Sequence, residues 1–162
     1  MIKVKFYTEN TKLITKVRLR RQGQKVGRLY DTIFDPGSTM TTMSESLFNK
    51  LAYKLTEPGK VKIIGVNSES NGISTLIDFF EIGGVNLGNV RVVVGQLHPN
   101  FENSVILGMN VILWYNFAVN HPDKMITMVE RKLKTFDTTT RFTIKNITNI
   151  NLAAYEENDD KL

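Results

Sequence analysis

The sequence places one carboxylate, that of Asp35, directly after a strongly apolar strand and directly before a glycine-containing turn. The segment reads Ile33-Phe34-Asp35-Pro36-Gly37-Ser38-Thr39. Carboxylates are rare at a half-buried strand end unless they are paired or hydrogen-bonded, which makes Asp35 a candidate for acid–base chemistry. Asp-Pro-Gly is also common in turns, so this feature alone is also typical of an Asp that forms a turn or caps a helix. Asp31 is excluded as a candidate, because Ile33 stands where a tight turn would need glycine.

The elements that would position Asp35 are mainly β-strands. Apolar residues alternate in residues 12–20 and 25–34, with Gly23 in the turn between them. The period then changes to that of a helix, where Thr42 and Glu45 have the spacing of a capping box. The apolar face of this predicted helix consists of Leu47, Phe48, Leu51, Ala52 and Leu55.

A long hairpin is predicted next. Residues 61–65 and 73–82 have strand patterns and are joined by a polar stretch, residues 66–72. We expect the joining tip to be a mobile flap. Its residues are Gly65, Val66, Asn67, Ser68 and Gly72.

The second half of the chain continues this β-rich pattern. The remaining predicted strands are residues 85–87, 90–94, 105–107, 117–119, 125–129 and 141–147. A helix is predicted for residues 109–117, immediately after Gly108. The acidic residues 156–162 are predicted to be disordered.

These motifs, in this order, resemble those of the retropepsin-like aspartic proteases. Asp35, Gly37 and Thr39 match the family's Asp-Thr/Ser-Gly-Ala-Ser/Asp loop. The segment Ile106-Leu107-Gly108-Met109-Asn110 is similar to the family's Ile-Leu-Gly-x-Asp/Asn segment, and the hairpin between them occupies the flap position. The resemblance covers residues 12–129.

The resemblance implies a mainly all-β, single-lobed fold of the acid-protease type. We expect a closed β-barrel with a flap hairpin and one or two short helices. Residues 1–130 would form the protease domain, and residues 131–162 would be a C-terminal extension with one extra strand and an acidic tail.

The resemblance also implies an aspartic endopeptidase with Asp35 as the catalytic residue. One carboxylate cannot both take a proton from water and give one to the substrate, whereas two that share a proton can. Because the chain carries one such loop, the mechanism requires a homodimer that acts on a peptide or protein substrate. Residues 36–39, namely Pro36, Gly37, Ser38 and Thr39, form the active-site loop. Structural support comes from Ile106, Leu107, Gly108 and Asn110.

Pro36 departs from the family pattern, which has Thr or Ser with a hydroxyl that bonds across the dimer. One alternative is therefore an inactive dimeric module of the same fold that binds a peptide. A second alternative is a basic β-barrel that binds nucleic acid, because residues 1–30 contain nine Lys/Arg and one acid, Glu9. We favour solvated faces of alternating strands for these charges, which makes a nucleic acid partner unlikely.

The composition excludes several other classes of protein. The chain has no cysteine, and His98 and His121 lack the spacing of metal ligands, so we expect no metal and no other cofactor. No apolar run reaches the ~20 residues needed to span a bilayer, and the first residues do not resemble a signal peptide. We therefore expect a cytoplasmic protein with no membrane partner.

Overall fold

The computed structural model describes residues 1–64, 69–97, 99–101 and 103–131 of the chain. The strands are β1 (Ile2–Lys5), β2 (Tyr7–Glu9), β3 (Lys12–Arg20), β4 (Gly27–Phe34), β5 (Thr42–Ser44), β6 (Gly59–Ile64), β7 (Glu69–Ile77), β8 (Phe80–Ile82), β9 (Val85–Asn86), β10 (Val90–Gly95), β11 (Val105–Leu107), β12 (Tyr115–Asn120) and β13 (Met125–Glu130). The helices are α1 (Glu45–Lys50), α2 (Met109–Ile112) and a 3-10 turn (Pro99–Phe101). The predicted mainly β fold is confirmed.

The strands belong to two sheets. In the larger one the strand order is β6-β7-β10-β5-β11-β4-β3-β8-β9, and β2 also pairs with β3. The smaller sheet has the order β1-β13-β12. Within the described part of the chain the larger sheet is an open path, because its end strands β6 and β9 do not pair with each other. The predicted closure into a barrel is therefore not seen in the strand pairing.

The core is built from the inward faces of these strands and from α1 and α2. β4 lies between β3 and β11 and ends in Thr32, Ile33 and Phe34, which are all buried. On β3, which also lies inside the sheet, Val17 and Leu19 are fully buried while the intervening Arg18 is partly exposed. β4 therefore loses the alternation of buried and exposed residues as it approaches Asp35.

The first helix is shorter than predicted and has a different cap. The Ser44 hydroxyl oxygen accepts a hydrogen bond from Leu47 N at 3.2 Å, whereas Thr42 lies in β5. The helix ends at Lys50, and Ala52 has a φ of 53°, outside the helical region. Leu55, predicted on the apolar face, is 46% exposed.

The second helix is also shorter than residues 109–117. α2 ends at Ile112, and residues from Tyr115 onward form β12, because they pair in register with β13. The predicted strand of residues 73–82 is divided into β7 and β8 by Asp78 and Phe79. The predicted strand at residues 141–147 and the acidic tail lie outside the described residues.

Candidate functional site

Asp35 begins the loop that connects β4 to β5, residues 35–41, which we call the Asp35 loop. β11 lies between these two strands, parallel to β4 and antiparallel to β5. The loop must therefore pass over the end of β11. Asp35 N donates to Leu107 O at 3.1 Å, which fixes the start of the loop on that strand.

The carboxylate of Asp35 is held by its own turn. Gly37 N donates to Asp35 Oδ1 at 2.9 Å. Ser38 N donates to Asp35 O at 3.1 Å and closes the turn. A Cβ atom at residue 37 would lie 3.1 Å from Asp35 Oδ1, so glycine keeps the carboxylate uncrowded. Asp35 itself is half-buried.

The far side of the Asp35 loop rests on the first turn of α2. Met109 N donates to Ser38 O at 2.7 Å, and Asn110 N donates to Thr39 O at 3.1 Å. These N–H groups have no partner within the helix, so the loop provides the missing acceptors. A Cβ atom at Gly108 would lie 2.5 Å from Met40 O and 2.7 Å from Thr41 N. Only glycine permits the loop and the helix to approach this closely.

Thr41 and Asn110 connect the loop to its support through a buried network. Asn110 Oδ1 accepts hydrogen bonds from Thr41 N at 2.6 Å and from Thr41 Oγ1 at 2.8 Å. Thr41 Oγ1 in turn accepts from Gly108 N at 3.1 Å, and Asn110 Nδ2 donates to Arg91 O at 2.8 Å. The network ties the Asp35 loop to α2 and to β10.

Sequence reasoning missed Thr41, which is fully buried. The signal that could have found it is indirect. A half-buried amide such as Asn110 needs hydrogen-bond partners, but nothing in the sequence says which residues supply them.

The hydroxyl groups of the loop have different surroundings. Ser38 Oγ donates to Met40 O at 2.9 Å and is therefore engaged inside the loop. Thr39 is exposed, and in the described part of the chain its hydroxyl makes no hydrogen bond. Pro36 is exposed at the tip beside Gly37.

The structure brings most of the predicted site residues together. The Asp35 loop contains Asp35, Pro36, Gly37, Ser38 and Thr39, and beneath it lie Ile106, Leu107, Gly108 and Asn110. The predicted flap residues Gly65, Val66, Asn67 and Ser68 lie outside the described residues. Gly72, predicted at the tip, is buried inside β7, where it is paired with Val61 and packs against Val93.

The described residues contain no group of three or more His, Asp or Glu side chains placed to hold a metal ion. Among them, no helix combines the length and the apolar character needed to cross a bilayer.

Comparison with known proteins decides the family. The sequence profile described as aspartyl protease matches residues 17–111, which include the Asp35 loop, β11 and the start of α2. The chain belongs to the aspartyl protease family. No curated protein sequence matches it.

Two solved structures resemble this aspartyl protease family member. A retropepsin-like aspartic protease from Rickettsia conorii is 16% identical with a TM-score of 0.54, over 77% of this chain and 87% of that one. The EIAV protease complexed with the inhibitor HBY-793 is 18% identical with a TM-score of 0.49, over 66% of this chain and 90% of that one. The chain has the retropepsin-like fold that the sequence predicted.

Proposed function

We propose that this chain is an aspartic endopeptidase that acts as a homodimer, with Asp35 from each copy at the two-fold axis. The observation that supports it best is the fixed Asp35 loop. Asp35 is half-buried, its carboxylate accepts a hydrogen bond from Gly37 N at 2.9 Å, and the backbone of its loop is bonded to β11 and α2. A chain of the aspartyl protease family with this arrangement has the parts for half of an active site.

The second half comes from the second copy. Two carboxylates held within hydrogen-bond distance share one proton, because repulsion prevents both from ionising together. One takes a proton from water while the water oxygen attacks the peptide carbonyl carbon, and the other gives its proton to the carbonyl oxygen. The attack of water gives a tetrahedral intermediate. When this intermediate collapses, its C–N bond breaks and a proton moves to the departing nitrogen.

The hairpin of β6 and β7 is the flap in this proposal. With residues 65–68 at its tip, it would close over an extended peptide and exclude water during the reaction.

The two loops also need a contact that holds them in register across the axis. Pro36 offers neither a hydroxyl nor an N–H group, and the Ser38 hydroxyl already donates to Met40 O. Thr39 has an exposed side chain in the same loop. We therefore assign the bridging hydroxyl to Thr39.

A catalytically inactive, dimeric peptide-binding module of the same fold is the second candidate. Pro36 favours it, because the loop lacks the hydroxyl that the family has at this position. The presence of Asp35, of Gly37 and of the β6–β7 hairpin favours the enzyme.

The test is cleavage of a mixed peptide library at mildly acidic pH. The wild type should cleave, and Asp35→Asn should not, because an amide can neither accept the proton from water nor share one. The matched control is Asp31→Asn, whose carboxylate pairs with Lys16 Nζ at 2.8 Å on β3, and it should retain activity. Cleavage that survives in Asp35→Asn would eliminate the mechanism, and peptide binding without cleavage by the wild type would support the inactive module.

A further inference from the structure

The two sheets leave a groove where β1 lies beside β3. β1 is the outer strand of the smaller sheet, and in the described part of the chain its second edge pairs with no strand. Lys5 O instead accepts a hydrogen bond from Thr15 Oγ1 on β3 at 2.9 Å. Next to it, a Cβ atom at Gly83 would lie 3.0 Å from Lys3 O. A side-chain hydrogen bond and a close glycine contact therefore hold β1 here in place of a strand ladder, and a groove remains along the junction.

The groove has a volume of about 410 Å³, which is within the ~300–1,000 Å³ of ligand-binding clefts. Among the described residues that line it, the cations are Lys3, Lys5, Lys16 and Arg18, and the acid is Glu81. The lining therefore carries a net positive charge, which favours an acidic ligand.

Two of these cations are available to a ligand. Both cations on β3 are already paired with carboxylates, at N–O distances of 2.8 Å and 3.0 Å. Lys3 and Lys5 are exposed and form no ion pair with any described residue. Because they are two residues apart on a strand, their side chains project from the same face, about 7 Å from each other. Carboxylates at alternate positions of an extended peptide have the same spacing.

The groove also offers apolar surface. Tyr7 and Leu29 line it and are 42% and 54% exposed. An apolar side chain of the ligand can pack on them. Sites for single-stranded nucleic acid stack successive bases on several aromatic rings, whereas the second aromatic residue of this lining, Phe6, is buried. The lining therefore favours a peptide over a nucleic acid.

We infer that this groove binds an extended acidic segment of another protein, with carboxylates at alternate positions and an apolar residue next to them. The carboxylates pair with Lys3 and Lys5, and the apolar residue packs on Tyr7 and Leu29. The inference goes beyond the proposed function and does not depend on it, because none of the lining residues belongs to the Asp35 loop.

The experiment measures binding of a fluorescein-labelled peptide, Gly-Leu-Glu-Ser-Glu-Leu-Gly, by fluorescence anisotropy. The protein carries Asp35→Asn, so that the proposed mechanism cannot cut the probe. Adding Lys3→Glu and Lys5→Glu together should raise the dissociation constant at least ~10-fold, because two exposed ion pairs become two repulsions. The matched control is Lys54→Glu, which makes the same charge change at an exposed lysine outside the groove and should leave the constant unchanged. Circular dichroism checks that each variant keeps the fold.

Two further readings separate the ionic from the apolar contribution. Rising salt should weaken binding of the probe, and should do so less in the variant that lacks both lysines, because exposed charges are screened. Leu29→Ala should weaken binding of the probe but not of a peptide in which both Leu are replaced by Gly.

Three results would overturn the assignment. The first is equal binding of the probe and of a peptide with Gln in place of Glu, or binding that survives unchanged without the two lysines. The second is tighter binding of a thymidine oligonucleotide, with a steep loss on adding salt, which would assign the groove to nucleic acid. The third is a probe that does not bind while Lys3→Glu and Lys5→Glu weaken the dimer in sedimentation, which would assign the groove to a second copy. None of these results bears on peptide cleavage, so the proposed function stands or fails separately.

Discussion

At the scale of single residues, two glycines determine how closely the backbone packs around Asp35 and its loop. Gly37 leaves room for the carboxylate and binds one of its oxygens, and Gly108 lets α2 contact the backbone of the loop directly. Both positions would be crowded by any side chain. The carboxylate is thus held by backbone geometry, which is stiffer than contact between two long side chains.

Pro36 and Thr39 together lead to a prediction about the paired loops. Thr39→Ala should weaken the dimer, because it removes the hydroxyl that we assign to bridging. Adding Pro36→Thr to that variant should restore the dimer, since each new hydrogen bond contributes about 1 kcal/mol and the two-fold axis doubles it. The dissociation constant should therefore fall about 30-fold from that of Thr39→Ala.

Sedimentation of Thr39→Ala, Pro36→Thr and the double variant measures this effect. Ser38→Ala is the comparison, because its hydroxyl bonds within the loop. If Thr39→Ala dimerises as tightly as the wild type, the bridging role of Thr39 is wrong.

Asp35, Gly37 and Gly108 could be predicted from the sequence because each belongs to a short motif whose residue types are needed locally. Thr41 could not, because its role depends on Asn110, which is 69 residues away in the chain. The sequence also does not show that the Ser38 hydroxyl donates a hydrogen bond to Met40 O or that the Thr39 side chain is exposed. A sequence shows that a hydroxyl is present but not which atom it reaches.

At the scale of elements, the network of Thr41 and Asn110 is what joins the loop, α2 and β10. Asn110→Ala should lower the free energy of unfolding by about 2–4 kcal/mol, because it leaves the buried Thr41 N–H and the Arg91 carbonyl without partners. Chemical denaturation measures the loss.

The control for this variant is Asn116→Ala. Asn116 is exposed on β12 and accepts one hydrogen bond, from Arg131 Nε at 3.1 Å. Its replacement should change stability by less than about 0.5 kcal/mol. Equal losses in the two variants would mean that the network adds nothing beyond a surface hydrogen bond.

The basic residues of the N-terminal region also have an explanation at this scale. Three of them share one face of β3, and each has an acidic partner: Lys16 with Asp31 at 2.8 Å, Arg18 with Glu81 at 3.0 Å, and Arg20 with Asp78 at 3.0 Å. Paired cations are less available to phosphate groups. This arrangement favours the solvated face over a nucleic acid site.

The boundaries of the elements were predictable only in part. β3 has the predicted bounds, because apolar and basic residues alternate from Lys16 to Arg20, which is a strong local signal. α2 was predicted too long because Tyr115 and Phe117 fit a helical period as well as a strand. The pairing of Phe117 with Met128 decides for the strand, and that contact is not local.

At the scale of the whole molecule, the proposed mechanism depends on the number of catalytic carboxylates in each chain. The sequence contains a single Asp-x-Gly segment, at residues 35–37, so in the proposed mechanism one chain would supply half of the dyad.

The most direct test of the shared dyad mixes two kinds of subunit. Wild-type and Asp35→Asn chains are refolded together in varying proportions, at a fixed total concentration well above the dimer dissociation constant, and peptide cleavage is measured. Because both carboxylates are required, only dimers of two wild-type chains cleave, and the rate should fall as the square of the wild-type fraction. Mixtures with Asp31→Asn, the control, should keep the full rate. A rate that falls in simple proportion to the wild-type fraction would show that one subunit suffices and would contradict the shared dyad.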